Sequence, residues 1–155
     1  MGSENTNISS VPHEAPRLWN PNAAASWSLL FSPIFGAILH MKNWEALGEP
    51  AKAAQAKSWA IVSVIFLVVV ILASVALPDS KAIDLLSRVA GLALLLGWYY
   101  SSGKPQVAYI LARYGKSYPR RGWAKPLLFA FLALLGFVLV SVLVGFVAGV
   151  LAGAA

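Results

Sequence analysis

Residues 126–155 read PLLFAFLALLGFVLVSVLVGFVAGVLAGAA, thirty residues without a charge. A helix crosses the hydrocarbon core of a bilayer with about 20 apolar residues, so this stretch is long enough to span. Within it Ser141, Gly145, Gly149 and Gly153 recur every four residues. Small side chains at that spacing let a second helix approach the backbone closely. The stretch therefore predicts a spanning helix with a packing face, offered to a partner, to a second copy of the chain, or to its own bundle.

The rest of the chain has the same character. Of its 155 residues 59% are hydrophobic and 12% charged, which is too apolar for an ordinary soluble domain. Segment 23–41, AAASWSLLFSPIFGAILHM, is long enough to cross but is interrupted by Pro33 and Gly36. A proline inside a helix removes a hydrogen bond, so this segment is expected to be kinked or re-entrant. Segments 58–77 and 83–100 complete the set, followed by 126–152 with Pro126 in its first turn, where a helix tolerates it. The expected fold is all-α: one polytopic integral membrane bundle over 23–155, with three to four transmembrane helices, behind a flexible polar tail at 1–22.

Charge orients the bundle. Loop 42–57 carries Lys42, Lys52 and Lys57, and loop 101–125 carries Lys104, Arg113, Lys116, Arg120, Arg121 and Lys125, whereas Arg17, Lys81 and the nearby Arg88 fall on the other side. The positive-inside rule makes both basic loops cytoplasmic. Both termini are then outside if all four segments cross; a re-entrant first segment puts the N-terminus inside. Trp44, Trp59, Trp98, Tyr99, Tyr100 and Trp123 fall near the basic ends of segments, with Trp19 and Trp27 at the opposite end of the first. Within loop 101–125, Val107, Ile110, Leu111 and Tyr114 share a helical face and predict a short interfacial helix ended by Gly115. The net charge of +6 is read as contact with anionic lipid and as topology, and no nucleic-acid partner is expected.

Residues capable of chemistry are sparse. The chain has no cysteine, which excludes disulfides and thiolate metal sites. His40 ends the first segment and is read as making an interfacial hydrogen bond, His13 lies in the tail, and no His, Asp or Glu pair has ligand spacing. Asp84 and Arg88 are four apart, the spacing of an ion pair on a helix, and form an intramembrane pair that snorkels toward the boundary or lines a polar path. Glu45 and Glu49 are better placed to balance Lys42, Lys52 and Lys57 than to act as an acid and base. Gly2 and the Asn7 glycosylation pattern carry little weight. No catalytic, cofactor or metal site is expected, and an enzyme is disfavoured.

Two stretches, Ser32-Pro33-Ile34-Phe35-Gly36-Ala37 leading to Asn43-Trp44-Glu45-Ala46-Leu47-Gly48, and Tyr114-Gly115 followed by Tyr118-Pro119-Arg120-Arg121 and Trp123, resemble a loose group of small bacterial inner-membrane proteins. The resemblance covers residues 23–128 and implies a multi-pass inner-membrane location. Proteins of this type can serve as immunity partners to membrane-acting toxins delivered by type VI secretion. The leading expectation is a non-enzymatic binding protein that neutralises such a toxin by packing helices against it. The alternatives are a small homo-oligomeric channel or transporter subunit and an accessory subunit of a membrane complex.

Overall fold

The computed structural model describes residues 15–77 and 80–153; Gly2, Asn7 and His13 lie outside them. Among the described residues the chain forms helices and no strand: α1 (Pro21–Phe31), α2 (Pro33–Ala46), α3 (Pro50–Ala76), α4 (Lys81–Trp98), a π-turn (Tyr99–Gly103), α5 (Lys104–Tyr114) and α6 (Ala124–Gly153). Three helical runs are long and apolar enough to cross a membrane, Pro50–Ala76, Lys81–Tyr114 and Ala124–Val150. The protein is an all-α helical bundle of membrane character.

The first apolar segment folds back on itself. Pro33 lacks an N–H and bars the preceding residue from helical dihedrals, and Ser32 turns the chain at φ 115°. Gly36 then lies against α1, so close that a Cβ there would collide with the Ser28 Oγ and with the Trp98 ring. At the open end of the hairpin, the His40 ring reaches the Pro21 carbonyl at 3.2 Å. Limbs of 11 and 14 residues measure about 16 and 21 Å at a rise of 1.5 Å per residue. Neither covers a hydrocarbon core about 30 Å thick. The segment is therefore a helical hairpin and not one kinked helix, the form that a re-entrant segment requires.

A tight reversal joins α2 to α3. Gly48, at φ 73°, occupies the left-handed position that ends many helices; its N–H donates to the Glu45 carbonyl at 3.1 Å, and the Glu49 N–H to that of Trp44 at 3.0 Å. Pro50 then opens α3. The two helices pack antiparallel, burying Ala53 and Ala56 of α3 with Trp44 of α2 and Ala60 with Ala37; Ser63 of α3 is buried as well. Small residues at spacings of three and four allow this close approach.

Between α4 and α5 the helix does not stop. The π-turn holds one continuous run from Lys81 to Tyr114 and adds a residue to the helical ladder, which rotates the following face. The helix expected near Val107 is thus an extension of the third span, and it buries Gln106 and Ile110. The expected tail is shorter than residues 1–22, because residues 15–20 lie against 119–122. The Leu18 N–H donates to the Pro119 carbonyl at 3.0 Å, the Arg121 N–H donates to the Leu18 carbonyl at 2.8 Å, and the Leu18 side chain is fully buried with Ile110 and Tyr118. Trp19 and Arg17 therefore sit at the basic end, opposite to the assignment for four crossing segments and on the side that a re-entrant first segment implies for the N-terminus. The Trp19 indole donates to the Gly122 carbonyl at 3.1 Å, and the Arg121 Nε donates to the Arg17 carbonyl at 2.8 Å.

The dihedrals of Ser32 belong to a region used almost only by glycine and cost about 1–3 kcal/mol. Ser32→Gly is expected to raise the unfolding temperature in detergent, and Gly36→Ala to lower it by overpacking the Ser28 and Trp98 contacts. Thermal unfolding followed by circular dichroism measures both.

Candidate functional site

Buried polar groups concentrate where the hairpin base meets α5 and residue 19. Asn43 is 1% exposed. Its Oδ1 accepts from the Trp19 N–H at 3.0 Å, and its Nδ2 donates to the Trp19 carbonyl at 2.8 Å and to the Gln106 Oε1 at 3.2 Å. Gln106, also buried, donates from Nε2 to the His40 carbonyl at 2.8 Å. Buried amides are costly unless satisfied. These two satisfy one another while tying α2, α5 and the chain before α1 together.

His40 borders this clamp. A carbonyl can only accept, so its contact with Pro21 places the ring proton on Nε2 and leaves Nδ1 as an acceptor. The ring lies 5.3 Å from that of Trp98. His40 Nδ1, Trp98 Nε1 and Ser102 Oγ are buried without a hydrogen-bond partner among the described residues. No group of three His, Asp or Glu side chains gathers among those residues.

At the turn below, the Tyr109 hydroxyl donates to a Glu49 oxygen at 2.7 Å, and the Lys52 ammonium stands 3.3 Å from the other oxygen. The Tyr109 hydrogen bond, followed by that of Lys52, holds the Glu49 carboxylate below its usual range. Lys52 also stands over the Tyr109 ring at 4.3 Å and the Trp44 ring at 4.8 Å. Glu45 is exposed and has no salt bridge among the described residues.

The basic-loop residues do not converge on one point. Lys104 stands over Tyr100, Arg113 over Tyr114, Arg120 over Tyr118 and Arg121 over Trp19, with the last closest at 4.6 Å. Lys116 and Lys125 are exposed. At the far end of the bundle Asp84 and Arg88 form an exposed ion pair, with contacts of 3.0 and 3.1 Å.

The small residues of α6 lie apart from all of this. A Cβ added at Gly145, Gly149 or Gly153 would meet nothing within 4 Å, and Ser141 is exposed. The small-residue contact that closes the bundle is instead the stripe Ala53, Ala56, Ala60 and Ser63. Its signal was present in the sequence as alanines at helical spacing. Lys52 and Lys57 had assigned that region to a loop. Asn43 and Gln106 gave no advance sign, since nothing local marks two amides 63 residues apart as partners.

Comparison with known protein families, characterised proteins and solved structures finds no match, so the functional reading rests on the geometry of these residues.

Gln106→Leu removes the bonds to the Asn43 amide and to the His40 carbonyl, and is expected to cost about 1–3 kcal/mol in unfolding measurements. Tyr109→Phe is expected to raise the pKa of Glu49, read by carbon NMR of the carboxylate during a pH titration. The sign follows from the direction of the shift. A carboxylate held below its unfolded value of 4.5 stabilises the fold above that pH and loses this contribution as pH falls through the folded value. Tyr109→Phe should therefore make the protein less sensitive to acid across that window.

Proposed function

We propose that this chain is a non-enzymatic membrane binding protein that receives a transmembrane helix of a partner along the small-residue face of α6. The observation that carries this reading is the open space beside Gly145, Gly149 and Gly153, on a helix whose residues face outward over most of its length. Lipid tails are as apolar as leucine, so exposed apolar surface alone does not draw helices together in a bilayer. Close backbone approach does, and a glycine face left empty by its own bundle is where a foreign helix gains most.

Among small bacterial inner-membrane proteins of the kind the chain resembles, the type that fits such a face is an immunity protein, which would occupy a helix of a pore-forming or membrane-inserting toxin. Its basic end, which gains Arg17 by the pairing of residues 15–20, faces the cytoplasm by the positive-inside rule. The channel alternative receives less support, because Arg88 is already paired with Asp84 and both side chains are exposed at one end of the bundle.

Native mass spectrometry of the protein extracted gently from its host membrane tests the proposal. The expected result is a heteromeric mass that is lost in Gly145→Ile/Gly149→Ile, with the unfolding temperature of the isolated chain unchanged because nothing packs on those positions. A homo-oligomeric mass alone would replace the partner-helix reading with a ring of identical chains, and an unaltered heteromer in the double variant would overturn the role of this face.

A further inference from the structure

Between the re-entrant hairpin and α6 lies a cavity of about 710 Å3, lined almost wholly by apolar side chains of α2, α6 and Leu67 of α3. Such a volume lies inside the range of about 300–1,000 Å3 typical of small-molecule sites. Its charge is confined to one end, Ser32 at the hairpin tip being the other polar lining residue. Lys42 of α2 and Lys125 of α6 line that end with Trp19, while Phe31 from the hairpin tip and Phe137 line the other. The Arg121 guanidinium lies over the Trp19 ring at 4.6 Å and adds a third positive charge there. Neither lysine has a salt bridge among the described residues. Glu45, one turn beyond Lys42, is the acidic side chain nearest to it along α2.

The length of the groove matches its polarity. From Lys125 to Phe137 the α6 wall rises about 18 Å at 1.5 Å per residue, and the α2 wall is limited by a hairpin that ends part-way across the bilayer. That is close to one leaflet of a hydrocarbon core about 30 Å thick. Tryptophan and lysine mark the headgroup level, so the cationic end falls where a phosphate sits and the apolar end where an acyl chain ends.

We infer that this groove is a specific site for one anionic phospholipid, whose acyl chain lies between α2 and α6 and whose phosphate is held by Lys42 and Lys125. A zwitterionic lipid would bring its own ammonium to a mouth that already gathers Lys42, Lys125 and Arg121, and a soluble anion leaves the apolar walls unfilled. The site lies in the half of α6 nearer the basic end, and the glycine ladder lies in the other half. Lipid and partner helix therefore do not compete, and the inference stands independently of the proposed partner.

The test is native mass spectrometry of the purified full chain in detergent, titrated with palmitoyl-oleoyl phosphatidylglycerol, with phosphatidylcholine of the same chains, or with glycerol 3-phosphate. The expected result is one tightly retained phosphatidylglycerol, bound at least tenfold more tightly than phosphatidylcholine, and no binding of glycerol 3-phosphate over the same range. Lys42→Glu/Lys125→Glu should weaken phosphatidylglycerol at least tenfold, and Lys57→Glu/Lys104→Glu should leave it unchanged. Ala133→Trp, which fills the groove and keeps both lysines, should also abolish retention; the lysine variants, both at exposed positions, give an answer even if this one does not fold. Equal binding of the two lipids, or undiminished phosphatidylglycerol binding in the Lys42/Lys125 variant, would overturn the inference. Equal binding of glycerol 3-phosphate would overturn it too, by showing that the acyl groove contributes nothing.

Discussion

The carboxamide of Asn43 holds three separate parts of this chain in one place. It pairs with both backbone groups of Trp19 and with Gln106, and Gln106 passes the connection on to the His40 carbonyl. The clamp exists because the first apolar segment reverses at Ser32 and Pro33. A straight helix would carry Trp19 and Asn43 to opposite faces of the membrane. Once the hairpin is folded, its base exposes backbone groups before Pro21, and the amide that satisfies them also recruits α5.

This arrangement divides the molecule into two physically different halves. At the basic end, side chains interlock: Leu18 under Tyr118 and Ile110, Trp98 against Ala37, Trp44 over Ala53 and Ala56. Toward the far end, α3, α4 and α6 run with most of their apolar side chains facing outward. In water such a surface would be untenable; in a bilayer it is ordinary, and it leaves the choice of neighbour to shape and to charge at the boundary. A glycine face offers shape, and a groove headed by lysines offers charge.

The three spanning helices were legible in the sequence because length and apolarity alone determine them. The re-entrant segment was half legible: Pro33 announced a break, but a kink and a reversal have the same local signature. The difference lies in contacts between Gly36 and Ser28 and between Asn43 and Trp19, which no local pattern encodes. Three features were misplaced for related reasons. Residues 15–20 looked like tail because their order depends on a pairing with 119–122, about a hundred positions away. The alanine stripe of α3 was hidden by Lys52 and Lys57, which mark a loop by composition yet belong to the helix. The continuity of α4 and α5 rests on a π-turn, while Ser101-Ser102-Gly103 reads as a loop. The α6 ladder itself was visible, but only the structure shows that its own bundle leaves it open.

A hairpin at Ser32 and Pro33 returns the first segment to the side it came from, so residue 15 is expected on the same side of the membrane as both basic loops. Because the chain is free of cysteine, single substitutions Ala15→Cys, Glu45→Cys, Lys116→Cys and Ser80→Cys can be probed with a membrane-impermeant maleimide in sealed vesicles of known orientation. Ala15→Cys, Glu45→Cys and Lys116→Cys are expected to label together from one side and Ser80→Cys from the other. Labelling of Ala15→Cys together with Ser80→Cys would contradict it.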